Sequence, residues 1–171
     1  VFKKIKSDSN FLFVDPQGFL RQKDSNNNII LKKTDLDLSN VNAIKINPEE
    51  GQNIVSGSHD EMMLALQKKG IEYVLLTNKV DVSLLVKNRV YSLKLPNKNI
   101  HDTTGIGDIF CSTFTCTMLK EKDFLWALCF AAGSAQAALE SNNVGLQKIP
   151  KKGMVENNAS YFYNLVDFRD L

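Results

Sequence analysis

Short apolar runs closed by turn residues alternate along the chain with stretches whose apolar positions recur every three or four residues. Phe11-Leu12-Phe13-Val14, bounded by Asp15-Pro16-Gln17-Gly18, has the length and ending of a buried strand. Phe19-Leu20-Arg21 and Ile29-Ile30-Leu31 flank the polar stretch Asp24-Ser25-Asn26-Asn27-Asn28, which predicts an exposed hairpin or loop. Val41 to Ile46 predicts a second strand. It runs straight into Asn47-Pro48-Glu49-Glu50, where Asn47 is an N-cap, Pro48 the first helical residue and Glu50 the closing member of a capping box. Ser58 and Glu61 repeat that device and open a helix through Met62, Ala65 and Leu66 that stops at Gly70. Tyr73 to Thr77 is then another strand. Strand–helix–strand order is the pattern of a parallel sheet.

Val82 to Val86 and Val90 to Leu95, joined by Lys87-Asn88-Arg89, read as a hairpin, and Pro96 to His101 as a connection. After Gly105 the apolar residues Ile106, Phe110, Phe114 and Met118 recur every four positions, which predicts a helix. Lys120-Glu121-Lys122 is a solvated link and Asp123 the cap of a further helix, Phe124 to Leu139, apolar nearly all round and therefore packed on more than one side. Val155 to Leu165 predicts one covering helix. The class is α/β: one domain over residues 1–171, with a mostly parallel central sheet and flanking helices.

Bulk properties narrow the function. A net charge of +2, with no basic stripe interleaved with aromatics, gives nucleic-acid binding no support. No apolar run approaches the ~18 residues of a membrane span. The first residues, Val-Phe-Lys-Lys-Ile-Lys, lack a signal-peptide core. Cys111, Cys116 and Cys129 are odd in number, sit in apolar helical patterns and lack zinc-ligand spacing, so they read as reduced core cysteines of a cytoplasmic protein. His59 and His101 are too few and too far apart for a histidine-rich metal site.

The chemistry concentrates in Asp102-Thr103-Thr104-Gly105-Ile106-Gly107-Asp108. Two glycines two apart let the backbone turn tightly and present its N–H groups. A helix N-terminus directly after such a turn is a ready anion site. Asp108, at that same point, can take a proton from a nucleophilic hydroxyl, or can merely cap the helix. Anion cradle plus base suggests phosphoryl transfer. Asp15 and Gln17, just beyond a strand's carboxyl end, stand where α/β folds gather ligands, although Asp-Pro-Gln-Gly is also ordinary turn chemistry.

The stretch from Asp102 to Asp108 resembles the D-T-T-G-A-G-D signature of the ribokinase-like (PfkB) carbohydrate kinase family, with Ile106 in place of the usual alanine. The resemblance implies a ribokinase-like fold of which this chain is the C-terminal portion, the N-terminal half and small β lid lying outside it. It implies Asp108 as catalytic base and the amides of Gly105, Ile106 and Gly107 as the anion hole. Asn47 and Glu50 match the family's N-x-x-E motif, which helps organise magnesium and phosphates largely through water, and Lys45 matches a basic residue often found before it. ATP would lie along the loops carrying Asn47, Glu50, Thr77, Lys79, Thr104 and Gly145, the last opening a G-x-x-x-x-P pattern that ends at Pro150. Asp102 would face a monovalent cation beside the anion hole. The reaction implied moves the γ-phosphoryl of ATP, with Mg2+, to a hydroxyl of a sugar, polyol or nucleoside. A homodimer is the assembly open to such a chain.

Two departures support a second reading. Where the family has T-x-G-x-x-G, the chain reads Thr77-Asn78-Lys79-Val80-Asp81-Val82, with Lys79 and Val82 in the glycine positions. The asparagine that relatives place near the adenine pocket corresponds to Ala132. The alternative is a catalytically impaired nucleotide- or sugar-binding pseudokinase, or a half-domain that needs a partner chain.

Overall fold

The computed structural model describes residues 5, 10–96, 102–141 and 143–171. Most of the expected connection into the glycine turn, including His101, lies outside the described residues. The chain divides into two compact units, Val1–Asn78 with Ser83–Tyr91 and Phe168–Leu171, and Lys79–Val82 with Ser92–Asp167.

The first unit is built on parallel strands. β1 (Phe13–Val14) pairs with β4 (Ala43–Ile46), Phe13 opposite Ala43, and β4 pairs with β5 (Tyr73–Thr77), Ala43 opposite Tyr73. All four residues of β4 are buried, as a strand covered on both faces requires. β6 (Asp81–Val86), β7 (Arg89–Lys94) and β8 (Asp167–Asp170) extend the sheet in the order β1-β4-β5-β6-β7-β8. The two-residue turn between β6 and β7 puts Lys87 at φ 55°, as such hairpin turns demand. The α/β architecture expected from the sequence, a central sheet with parallel strands and flanking helices, is therefore present.

Short α1 (Gln17–Leu20) leads into an antiparallel hairpin, β2 (Arg21–Lys23) and β3 (Ile29–Leu31), so Phe19 and Leu20 are helical rather than extended. α2 (Pro48–Ile54) and α3 (His59–Lys68) start on the two capping boxes read from the sequence, both reciprocal. They close the core around Val14, Leu20, Ile44, Ile46, Met62 and Leu66. β8 was not anticipated. Its residues Asp-Phe-Arg-Asp are all exposed and carry no alternating pattern. Charge holds it in place: Arg89 Nε donates to Asp170 Oδ1 at 2.6 Å, its guanidinium lies 5.0 Å from the Phe168 ring centre, and Arg169 pairs with Asp60.

The second unit is helical. α4 (Ile106–Glu121), α5 (Phe124–Leu139) and α6 (Lys152–Tyr163) pack in sequence, with α5 against both neighbours. Asp123 caps α5 through the N–H groups of Leu125 and Trp126, as expected. Nearly all of α5 is buried because α6 approaches it closely: a Cβ on Gly133 would lie 2.8 Å from the Ala159 nitrogen and 2.9 Å from the Val155 carbonyl. On α4 the buried residues are Phe110, Phe114, Thr117 and Met118, while Ile106 is half-buried. Cys116 faces away from that stripe and is exposed, which corrects its reading as a core cysteine. Cys111 is half-buried and only Cys129 is fully inside. Burial pushes the Cys129 thiol up to about 12, which leaves it inert as a nucleophile.

Candidate functional site

The candidate residues fall into two groups, one in each unit. In the first unit they gather at the carboxyl ends of the parallel strands, where α/β sheets place their ligands. Asp15 follows β1, Asn47 follows β4 and Thr77 ends β5. The Asn47 side chain accepts from the Glu50 N–H at 2.8 Å, and Glu50 Oε2 accepts from the Asn47 N–H at 2.9 Å. Glu50 is only 1% exposed, so that reciprocal cap is what keeps a buried carboxylate satisfied. Its other oxygen, Oε1, receives one long bond, from Gln17 Nε2 at 3.4 Å. Lys45, 8% exposed, donates to Asp15 Oδ2 at 2.6 Å, and the Gln17 N–H donates to Asp15 Oδ1 at 3.2 Å. Thr77 Oγ1 donates to the Ile46 carbonyl at 3.5 Å, which ties the end of β5 to that of β4.

Asp15 and Gln17 are thus more than turn residues: they extend the buried charges of Lys45 and Glu50 into a part-buried network. The donor set fits a hard divalent cation held through water, since Glu50 Oε1 keeps acceptor capacity. Among the described residues no three His, Cys, Asp or Glu side chains cluster as a metal cage, so any magnesium here leans on phosphates and water for most of its shell.

In the second unit the signature forms the turn that launches α4. Gly105 is the N-cap at φ 76° and ψ −2°, a left-handed conformation that glycine adopts without strain. The Ile106 N–H donates to the Thr103 carbonyl at 3.2 Å. Ile106, expected to lend its amide to the anion hole, therefore spends it inside the turn, because left-handed Gly105 folds the chain back on itself there. Among the described residues no group accepts from the N–H of Gly105, Gly107 or Asp108. These amides are available to an anion at the positive end of the helix. The Asp108 side chain stands in the first turn of α4, exposed and without a partner among the described residues.

Asp102 is held from both sides. Its Oδ1 accepts from the Thr104 N–H at 2.8 Å, and its Oδ2 from Lys148 Nζ at 3.0 Å. The Thr104 bonds, with Lys148 adding to them, hold the Asp102 carboxyl down to about 2. Lys148 closes the 3-10 turn Gly145–Lys148, which starts from left-handed Gly145 at φ 60°. It is 3% exposed and donates in addition to the Asp102 carbonyl at 2.8 Å and the Thr104 carbonyl at 3.3 Å. The oxygens expected to face a monovalent cation are therefore engaged by an ammonium group, and the residues here do not fit a further cation. Sequence reasoning passed over Lys148. Its only signal was a lone charge within Gly145-Leu-Gln-Lys-Ile-Pro150.

Lys79 is exposed in the loop before β6, and Ala132, at the position expected near an adenine pocket, is fully buried in α5. Residues 19–152 match the model of the pfkB family of carbohydrate kinases. The chain belongs to that family. No curated protein sequence matches this family member closely enough to name as a relative. Among solved structures it is similar to a pyrophosphate-dependent myo-inositol-1 kinase converted into a myo-inositol-3 kinase, at TM-score 0.78 and 17% identity over 95% of this chain and 58% of that one. It is also similar to the ribokinase of Thermotoga maritima, at TM-score 0.71 and 16% identity over 92% of this chain and 52% of that one. A third is the ribokinase of Arabidopsis thaliana complexed with ribose and ATP, at TM-score 0.67 and 18% identity over 93% and 50%. The chain thus spans between half and three fifths of the length of these kinases. At such identities the likeness is one of fold. No described helix is long and apolar enough to cross a membrane.

Proposed function

We propose that this pfkB-family chain carries the catalytic base and anion hole of a small-molecule kinase that phosphorylates a hydroxyl of a sugar, polyol or nucleoside. The observation that carries the reading is the turn at Gly105, which sets an exposed Asp108 carboxylate beside the open amides of Gly105 and Gly107. The Asp108 amide joins them. As the acceptor's hydroxyl oxygen bonds to the γ-phosphorus, its proton passes to Asp108 and the bond from phosphorus to the leaving phosphate oxygen breaks. Charge that builds on the transferred oxygens rests on the fixed amides, which need no reorganisation at the moment of reaction. Glu50 and Asn47 would hold magnesium through water, and the ion would neutralise charge on the donor's phosphates. Lys79 offers a mobile charge to them in place of a glycine-loop amide.

The donor has a second reading. Lys79 and Val82 replace two glycines, and Ala132 leaves no polar side chain for adenine. A donor without a base, inorganic pyrophosphate, needs neither feature, and some similar folds belong to kinases described as pyrophosphate-dependent. The test is magnesium-dependent turnover by the full-length protein on a panel of sugars, polyols and nucleosides, with ATP or pyrophosphate, alongside Asp108→Asn. Turnover on one acceptor that falls by about 10²–10⁴-fold in Asp108→Asn, with donor binding kept, supports the reading. Binding of both donor and acceptor without turnover would replace it by the pseudokinase alternative.

A further inference from the structure

We propose that Lys148 is a built-in monovalent cation of the anion-hole loop, so that the loop is held in its working shape without any exchangeable ion. The proposal rests on the anion-hole reading above. A lysine ammonium has three N–H donors and no acceptor. Here Nζ meets three oxygens: the Asp102 carbonyl at 2.8 Å, Asp102 Oδ2 at 3.0 Å and the Thr104 carbonyl at 3.3 Å. Each donor has its own acceptor, and the side chain is 3% exposed. A point charge of +1 surrounded by backbone carbonyls and one carboxylate is the environment of a bound potassium or ammonium ion, which an alkylammonium matches in charge and nearly in size.

The engagement sets the direction of the peptide groups. In a trans peptide the N–H points opposite to the preceding C=O. Because the Thr104 carbonyl turns to Lys148, the Gly105 N–H turns away from it, toward the open side of the loop. The Thr104 carbonyl also lies four residues before Asp108 and would be the natural acceptor of the Asp108 amide in a continued helix. Among the described residues that carbonyl accepts from Lys148 and not from the Asp108 amide, which as a first-turn N–H stays open to a ligand. Lys148 is thus a positioning residue: it acts on the transferred group only through Gly105 and Asp108. Burial makes the arrangement demanding, since a Lys148 side chain cut short leaves the Asp102 and Thr104 oxygens without their cation.

The experiment uses the full-length protein and compares potassium, ammonium and choline chlorides at equal ionic strength. Wild-type turnover and melting temperature should be the same in all three salts. Lys148→Ala, which opens a hole of ammonium size, should lose about 10²–10³-fold in kcat, the scale of a lost anion-hole donor. Ammonium or potassium, but not choline, should restore at least about tenfold of that loss and raise the variant's melting temperature. Lys148→Met fills the same space without charge and should show the loss without the rescue. Wild-type dependence on potassium, an alanine variant as active as wild type, or a loss that no small cation repairs would each overturn the proposal. Should Lys148→Ala fail to fold, the wild-type salt series and Lys148→Met still decide. If no acceptor is ever phosphorylated, the kinase reading fails, while the ion-specific melting shift still reports on Lys148.

Discussion

Gly105 offers the sharpest separation of backbone strain from side-chain contact. At φ 76° and ψ −2° it sits in the left-handed region, yet a Cβ built there meets nothing within 4 Å. Gly105→Ala therefore introduces no clash; its whole effect comes from the conformational energy of an L-residue, about 1–2 kcal/mol. Asparagine tolerates the same region better and should cost clearly less than alanine. Urea unfolding of the full-length protein should rank wild type above Gly105→Asn above Gly105→Ala, with the alanine variant about 1–2 kcal/mol less stable. The chain has a cheaper escape than unfolding: it can rotate the 104–105 peptide, which moves the Gly105 N–H and the start of α4. If the amide's direction is what serves the phosphoryl group, the same energy appears as a loss of about 5–30-fold in kcat at unchanged acceptor KM. Equal damage from asparagine and alanine would show that bulk, not φ, matters. An alanine variant as stable and active as wild type would refute the reasoning outright.

Two further outcomes follow from packing and charge. Gly133→Ala should destabilise by about 1–3 kcal/mol despite the better helix propensity of alanine, because its Cβ meets backbone atoms of α6 at 2.8 and 2.9 Å, whereas Gly153→Ala, with nothing within 4 Å, should be neutral or slightly stabilising in the same unfolding assay. Asp102 is held down to about 2 from an ordinary 3.8, so its contribution is complete above about pH 4 and is lost as pH falls toward 2. Asp102→Asn should accordingly flatten the acid limb of the stability–pH curve there and leave the limb above neutrality unchanged, as melting temperatures across the acid range would show.

Local rules wrote the elements that carry their own signals. Asn47-Pro48-Glu49-Glu50 and Ser58 with Glu61 contain both halves of a capping box within four residues, so the starts of α2 and α3 were legible before any tertiary contact. The same holds for the turn at Gly105, where glycine spacing and the four-residue apolar period of α4 point to one conformation. β8 had no such signal. Its four residues are exposed and three of them are charged, and it lies beside β7 where Arg89, far away in sequence, binds Asp170 and stacks on Phe168. Cys116 looked internal because it sits in an apolar helical pattern, and only the packed helix decides which stripe of α4 faces inward. The buried partnership of Lys45 with Asp15 and of Gln17 with Glu50 likewise waits on β1 and β4 lying side by side.

By itself, then, the sequence determined the alternation of strands and helices, the caps, and the position of a glycine turn with a carboxylate in the first turn of its helix. These depend on residues within a few positions of one another. Tertiary structure alone decided which charges are spent on holding the turn and which stay free for chemistry. Lys148 reaches Asp102 across 46 positions of chain, and nothing local to either residue encodes that meeting. Its consequence is equally non-local: a lysine closing a 3-10 turn aims the amides at the start of another helix.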